Sequence, residues 1–398
     1  MSVTILIGDC RDRMAELEPV SLDACVCDPP YHLASIVKRF GRPGAAAAKF
    51  GAKANATGAY KRASRGFMGQ TWDGGDVAFD PATWEAVYRI LKPGAHLIAF
   101  SGTRTYHRMA CAIEDAGFEI RDQLAWCYGS GFPKSHNQSG EWEGWGTALK
   151  PAWEPICLAR KPLIGTVVGN LAAHGTGALN INGCRVPTDE QLREGSGVIP
   201  MRHDPAVPRG RDGEASATKR YQTEGSTNFA ASPGPRGGDP LGRWPANIIH
   251  DGSDEVLAAF PETQSGSMKA GTIRTVENRV YGEGCSAAGK AATERDIIGD
   301  SGSAARFFYC AKATTDERGD GNNHPTVKPI DLMRWCCRLI TPPGGTIIDP
   351  FMGSGSTLIA ADAEQFNAIG CELSSDYAAI AERRIRDAAG LFAEVAVA

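Results

Sequence analysis

The chain has 398 residues, 42% hydrophobic and 22% charged, with a formal net charge of -4. That length accommodates one large α/β domain with an inserted module, or two domains, and the composition is that of an ordinary soluble globular protein. No run of about 18 uninterrupted apolar residues is present to span a bilayer, and the net charge offers no global attraction to nucleic acid, so a polyanion partner requires locally concentrated positive charge.

The first residues, Ser2 to Asp9, read as a strand, with no basic region ahead of a long apolar core, so no secretion signal is expected. A short helical pattern with Met14 and Leu17 follows, and Leu22 to Cys27 is a second apolar run that ends at the carboxylate of Asp28. From Pro29 to Trp72 there is no Asp or Glu, while Lys38, Arg39, Arg42, Lys49, Lys53, Lys61, Arg62 and Arg65 fall in the same stretch. Such a run can be a solvated linker, but its place directly after Tyr31 points to a mobile loop that closes on a phosphate backbone. Pro81 then opens a helix with Trp84, Val87, Tyr88 and Leu91 at helical spacing. Lys92-Pro93-Gly94 should stop that helix, and His96 to Ser101 should form a strand. A helix from about Tyr106 to Gly117, extended structure from Ile120 to Tyr128 and a strand at Trp153 to Ala159 complete the first half. Strands alternating with helices imply a sheet covered on both faces.

Between about Leu163 and Asn323 Gly, Pro, Ser and Thr dominate, and only short apolar islands such as Trp244 to His250 remain. This stretch reads as an irregular insertion, ordered in part by packing on the core or by ligand. Regular patterning returns with a helix carrying Leu332, Cys336 and Leu339 on one face, a Pro-Pro-Gly-Gly turn at 342–345 and a strand from Thr346 to Ile348. A helix from about Ser356 to Ala363, a strand from Asn367 to Glu372 and a closing helix capped by Ser374 end the pattern. The 12 cysteines are scattered, many in apolar runs such as Cys25-Val26-Cys27, which suits reduced thiols in a cytosol. No Cys-x-x-Cys pair offers a structural zinc site.

Two segments carry chemistry. Asp349-Pro350-Phe351-Met352-Gly353-Ser354-Gly355 joins a strand to a helix, the place where doubly wound sheets bind nucleotides. The loop lacks the third glycine of a dinucleotide fingerprint and the lysine of a phosphate-binding loop. Glu372 ends the next strand, where a carboxylate can accept both hydroxyls of a ribose. The other segment is Asp28-Pro29-Pro30-Tyr31. An exocyclic base amine is a poor nucleophile, because its lone pair is delocalised into the ring. Asp28 and the carbonyl of Pro29 can each accept a hydrogen bond from it, favouring a tetrahedral nitrogen and the charge that develops on it. Two prolines fix that carbonyl, and Tyr31 offers a flat face to a base turned out of the duplex.

In this order the two segments resemble the DNA amino-methyltransferases of the β arrangement, with the catalytic tetrapeptide ahead of the target-recognition region and the cofactor loop behind it. Solitary phage and bacterial enzymes of this kind are similar also at Gly66 to Asp73, Arg104 to Met109 and Tyr128 to Ser135. The motifs cover residues 3–160 and 322–386. The resemblance implies a Rossmann-like α/β sheet with helices on both faces, circularly permuted. A catalytic half would occupy 1–162 with its basic loop at 32–72, a target-recognition insertion 163–323 and a cofactor half 324–398. It further implies methyl transfer from S-adenosyl-L-methionine to adenine N6 in double-stranded DNA, with cytosine N4 as the alternative, since N4 enzymes usually begin the tetrapeptide with Ser. Asp28, Pro29, Pro30 and Tyr31 would be catalytic. Asp349, Phe351, Gly353, Ser354 and Gly355 would surround the methionine part of the cofactor, with Glu372 on its ribose and Asp9 near its adenine. Thr326 and Lys328 would lie near the cofactor carboxylate. Lys38, Arg39, Lys61 and Arg62 would contact DNA. No metal is required, the setting would be cytoplasmic without membrane attachment, and enzymes of this arrangement are often homodimers.

Overall fold

The structure, a computed structural model, describes residues 1–31, 76–131, 135–188, 242–264, 301–312, 322, 327–389 and 394–398. The basic segment at 32–72, with Lys38, Arg39, Lys61 and Arg62, and also Thr326, lie outside the described residues. In chain order the elements are β1 (Ser2–Ile7), α1 (Cys10–Ala15), β2 (Leu22–Cys27), α2 (Pro81–Ile90), β3 (Leu91–Phe100), α3 (Tyr106–Asp115), β4 (Glu119–Cys127) and β5 (Trp153–Arg160). Then come α4 (Val167–His174), β6 (Ile248–His250), α5 (Asp254–Ala259), β7 (Glu262–Gln264), β8 (Ser301–Ser303) and β9 (Tyr309–Cys310). The last are α6 (Ile330–Ile340), β10 (Thr346–Asp349), α7 (Ser356–Ala363), β11 (Asn367–Glu372), α8 (Ser375–Ala389) and β12 (Glu394–Val397).

The described residues fall into two compact units. One comprises Met1–Cys184, Pro245–Glu262 and Ser303–Ala398, and the other Arg185–Trp244 and Thr263–Gly302. The first holds a ten-stranded sheet in the order β12-β1-β11-β10-β2-β3-β5-β4-β6-β9. Every neighbouring pair is parallel except the two made by β5. It is a Rossmann-like α/β sheet, and the apolar island at Trp244 to His250 contributes β6 to it. In the second unit Val186 and Arg243 form an antiparallel bridge, and the Arg185 guanidinium lies 5.5 Å from the centre of the Trp244 ring.

Both sheet faces are covered because the strands alternate between two cores. Ala24 and Val26 of β2, with Ile98 and Phe100 of β3, pack in one cluster with side chains of α6, α7 and α8. Leu22, Cys25 and Cys27, with Leu97 and Ala99, pack in the other with α1, α2 and α3. Side chains that point alternately up and down a strand require this, and it explains why β2 is apolar at nearly every position. Trp84 anchors the second cluster, fully buried, with its indole N–H donating to the Ala78 carbonyl at 3.0 Å.

Local signals set the helix ends. Asp80 accepts from the amide of Ala82 at 3.1 Å ahead of Pro81, and the Ser374 hydroxyl accepts from Tyr377 at 3.4 Å to open α8. One boundary differs from the sequence expectation. The strand expected from His96 begins at Leu91, directly after α2, and the register against β2 shifts between Leu22 and Ala24. That irregularity absorbs Pro93, which has no N–H for the ladder, and Gly94, whose φ is 76°. β12 is a further strand without a signal of its own in the sequence, being four residues on the sheet edge. Among the described residues no helix is long and apolar enough to cross a membrane.

Candidate active site

Parallel neighbours in one sheet end on the same edge, and in doubly wound folds that edge binds ligands. β1, β11, β10 and β2 are consecutive neighbours, with Ile7 opposite Glu372, Asp349 opposite Gly370 and Ile348 opposite Cys25. Their carboxyl ends therefore bring Asp9, Glu372, Asp349 and Asp28 to one edge. The two strands from the end of the chain slot between the two from its beginning, so the permuted order of the segments leaves them side by side.

At the end of β2, Pro29 is buried and Asp28, Pro30 and Tyr31 are half-buried. Lys328, just ahead of α6, donates to Asp28 Oδ2 at 2.8 Å and to the Tyr31 hydroxyl at 3.0 Å. Its Nζ also lies 3.2 Å from Glu154 Oε2, and the Tyr31 hydroxyl donates to the same oxygen at 3.1 Å. Burial pulls the Lys328 pKa down, but Asp28 and Glu154 outweigh it and hold the ammonium above the ordinary lysine value. Burial, with Asp28 and Glu154 nearby, raises the Tyr31 phenol well above its usual range, keeping it a neutral donor. The other carboxylate oxygen of Asp28, Oδ1, is buried with no hydrogen-bond partner. The backbone beyond is held by Thr105, whose hydroxyl donates to the Tyr31 carbonyl at 3.0 Å. Lys328, expected beside a cofactor carboxylate, is thus bound to Asp28, Tyr31 and Glu154.

The glycine loop is built differently. Asp349 is buried and accepts from the Phe351 amide at 2.9 Å and from the Thr357 hydroxyl. Glu372 accepts from the Ser374 amide at 2.8 Å and from the backbone of Gly353 and Leu373. Burial raises both carboxyl groups to about 7, against the lowering effect of these hydrogen bonds. Neither forms an ion pair among the described residues. Gly353 and Gly355 have φ of 51° and 84°, and a Cβ on Gly355 would meet the Ala381 Cβ at 3.1 Å. The turn therefore requires glycine at 355 for both reasons. Ser354 is buried, with its carbonyl bonded to Arg384 and its hydroxyl accepting from the same guanidinium at 3.0 Å. Phe351 meets Trp84 edge to face at 6.4 Å. Asp9 caps α1 through the Arg11 amide at 3.0 Å and pairs with the Arg11 guanidinium at 2.9 Å.

A family model described as DNA methylase, of the N6/N4 type, matches residues 22–383. The chain belongs to this family. It is similar to the Type II methyltransferase M.HindIII of Haemophilus influenzae, with 32% identity over 110 residues, 24% of this chain and 36% of that protein. It is similar also to the DNA adenine methyltransferase YhdJ of Escherichia coli, with 38% identity over 72 residues, 18% of this chain and 24% of that protein. The matches thus span about a third or less of these relatives' own lengths. A solved DNA modification methylase from Thermus thermophilus superposes with a TM-score of 0.44 at 15% identity, covering 100% of this chain and 99% of that one.

Sequence reasoning missed Glu154 and Thr105. Thr105 lies in the Arg104-Thr105-Tyr106 stretch but has no charge to draw attention. Glu154 had one usable signal, a carboxylate directly ahead of the apolar run Pro155 to Ala159. Its role depends on β5 running antiparallel to β3, which turns the start of β5 toward the edge where β2 ends.

Proposed function

We propose that the protein transfers a methyl group from S-adenosyl-L-methionine to N6 of adenine in double-stranded DNA, acting on a base turned out of the helix. The observation that carries this reading is Asp28-Pro29-Pro30-Tyr31 at the end of β2, one strand away from the glycine loop that ends β10. The residues of that loop fit the cofactor. A buried and a half-buried carboxylate with no ion-pair partner among the described residues suit a ligand bearing a sulfonium and an ammonium, and left-handed glycines let the loop backbone approach it closely. Glu372 would accept the ribose hydroxyls, Asp349 would face the cationic end with Phe351 and Gly353 to Gly355 around it, and Asp9 would approach the adenine.

When bound, S-adenosyl-L-methionine supplies an electrophilic methyl on a sulfonium leaving group. Asp28 accepts one hydrogen bond from the target amine through Oδ1, the atom without a partner, and the rigid Pro29 carbonyl accepts the second. These two acceptors would bend the nitrogen toward a tetrahedral geometry and stabilise its growing positive charge, and the methylated nitrogen, once the thioether has left, would release its surplus proton to solvent. Holding amine and methyl together supplies much of the remaining rate. Lys38, Arg39, Lys61 and Arg62 contact phosphates in this reading, and the 163–323 region carries target recognition. Aspartate at the head of the tetrapeptide, and a relative named as a DNA adenine methyltransferase, support adenine over cytosine.

Modification-detecting sequencing of DNA from cells expressing the chain should show N6-methyladenine at one short motif. Methyl on cytosine N4 overturns the choice of base. Unmodified DNA, together with no binding of S-adenosylhomocysteine in calorimetry, overturns methyl transfer itself.

A further inference from the structure

Asp28, Glu154 and Lys328 come from three distant parts of the chain, yet they form one closed unit. Asp28 Oδ2 and the Tyr31 hydroxyl accept hydrogen bonds from the Lys328 ammonium, and Glu154 Oε2 pairs with it at 3.2 Å, so three oxygens surround the one cation. Glu154 Oε2 also receives the Tyr31 hydroxyl. Two consequences follow from the count of charges and bonds. With Lys328 alone, Asp28 would sit in a neutral pair, and a nitrogen gaining positive charge would meet an ammonium at close range. Glu154 makes the cluster net anionic, so that charge is still favoured. Glu154 and Tyr31 also hold the ammonium on one side of the Asp28 carboxylate. An ammonium released from them could bridge to Oδ1 and fill the place of the amine.

We propose that Glu154 is a positioning residue for methyl transfer, fixing Lys328 on Oδ2 of Asp28 so that Oδ1 is left unpaired for the target amine and the cluster stays anionic as that amine becomes cationic. This rests on the methyl-transfer reading above. Glu154 touches neither the base nor the cofactor in this role; it acts through Lys328 and Tyr31.

The test uses the full-length chain with Glu154→Gln, Lys328→Met and the double variant, a DNA substrate and S-adenosyl-L-methionine. Glu154→Gln keeps the shape and removes the charge, and it should lower kcat by about 10- to 100-fold, the scale of losing an outer partner that orients a functional group. KM for DNA and the Kd for S-adenosylhomocysteine should stay within about threefold, because neither reports on the charge of the transition state. The double variant should recover about tenfold of the Glu154→Gln loss, since removing the ammonium with its counter-charge restores an anionic Asp28. A merely structural role would give no such recovery. Wild-type kcat in Glu154→Gln, a loss confined to KM, or a double variant no faster than Glu154→Gln overturns the proposal.

Reductive methylation of Lys328, read by mass spectrometry on the same proteins, reports on the ion cluster without turnover. Lys328 should be protected in the wild type and modified faster in Glu154→Gln, and equal rates overturn the proposal. A wild-type protein that leaves DNA unmethylated sinks the parent reading instead.

Discussion

At the end of β2 a carboxylate shares a half-buried lysine with a second carboxylate, whereas on the next two strands Asp349 is buried and Glu372 half-buried, bonded by backbone amides and, for Asp349, the Thr357 hydroxyl. The first arrangement carries its own cation, held by the oxygens of Asp28, Tyr31 and Glu154. The second carries none among the described residues, and burial holds its carboxyl groups at about 7. The difference separates two tasks on one sheet edge. Asp28 is oriented before any ligand arrives, as a group that must meet the transition state in a fixed geometry should be. Under the proposed function, Asp349 and Glu372 would instead gain their compensating charge when the cationic cofactor binds.

The comparison breaks most visibly at Asp28. Asp28→Ala should lower kcat by on the order of 10²- to 10³-fold while S-adenosylhomocysteine still binds in calorimetry. A parallel loss of cofactor affinity would show that the two ends are not separate. Asp349→Asn should do the reverse, weakening S-adenosyl-L-methionine by about 10- to 100-fold, the scale of a charge-assisted hydrogen bond. The same substitution should raise the thermal stability of the ligand-free protein at pH 8, because it removes a buried charge that lacks an ion-pair partner.

A pH series sharpens the contrast, and its sign follows from the two raised values. Unfolded carboxyl groups titrate near pH 4, while Asp349 and Glu372 titrate at about 7 in the folded chain. Between those values the folded state holds protons that the unfolded state has released. Their contribution to stability is therefore full below about pH 4 and is lost as the pH rises through about 7. Ligand-free Tm should fall between pH 5.5 and 8, and the Tm gain from S-adenosyl-L-methionine should be larger at pH 8. A gain independent of pH would remove the charge-compensation account of the loop.

The smallest effect concerns the basic segment. Replacing Lys38, Arg39, Lys61 and Arg62 with neutral residues should flatten the salt dependence of DNA binding by roughly 0.9 in log-log slope for each phosphate no longer neutralised. Methyl transfer at saturating DNA should change little. An unchanged slope would leave those residues to a solvated linker.

Much of the fold is legible in the chain because its signals are local. Trp84 and Val87 recur at the period of a helix, β2 is apolar on both faces, and Pro81 and Ser374 mark helix starts through effects that act within a few residues. The tetrapeptide and the glycine loop are legible for the same reason, since each is a contiguous run with its own chemistry. β12 and the early start of β3 are not, because a sheet edge and a register shift depend on the neighbouring strand. The destination of Lys328 is also hidden, for it is 300 residues from Asp28 along the chain.

By itself the sequence determined two strand ends with the right residues for their chemistry, in an order that left their relation open. The tertiary structure decided that relation by inserting β10 and β11 between β1 and β2. It also decided which charge answers which. An antiparallel β5 brings Glu154 to the edge where β2 stops, the turn into α6 brings Lys328 there, and nothing equivalent reaches Asp349 among the described residues. Periodicity fixes what a segment becomes, whereas burial and charge balance depend on every segment that packs beside it.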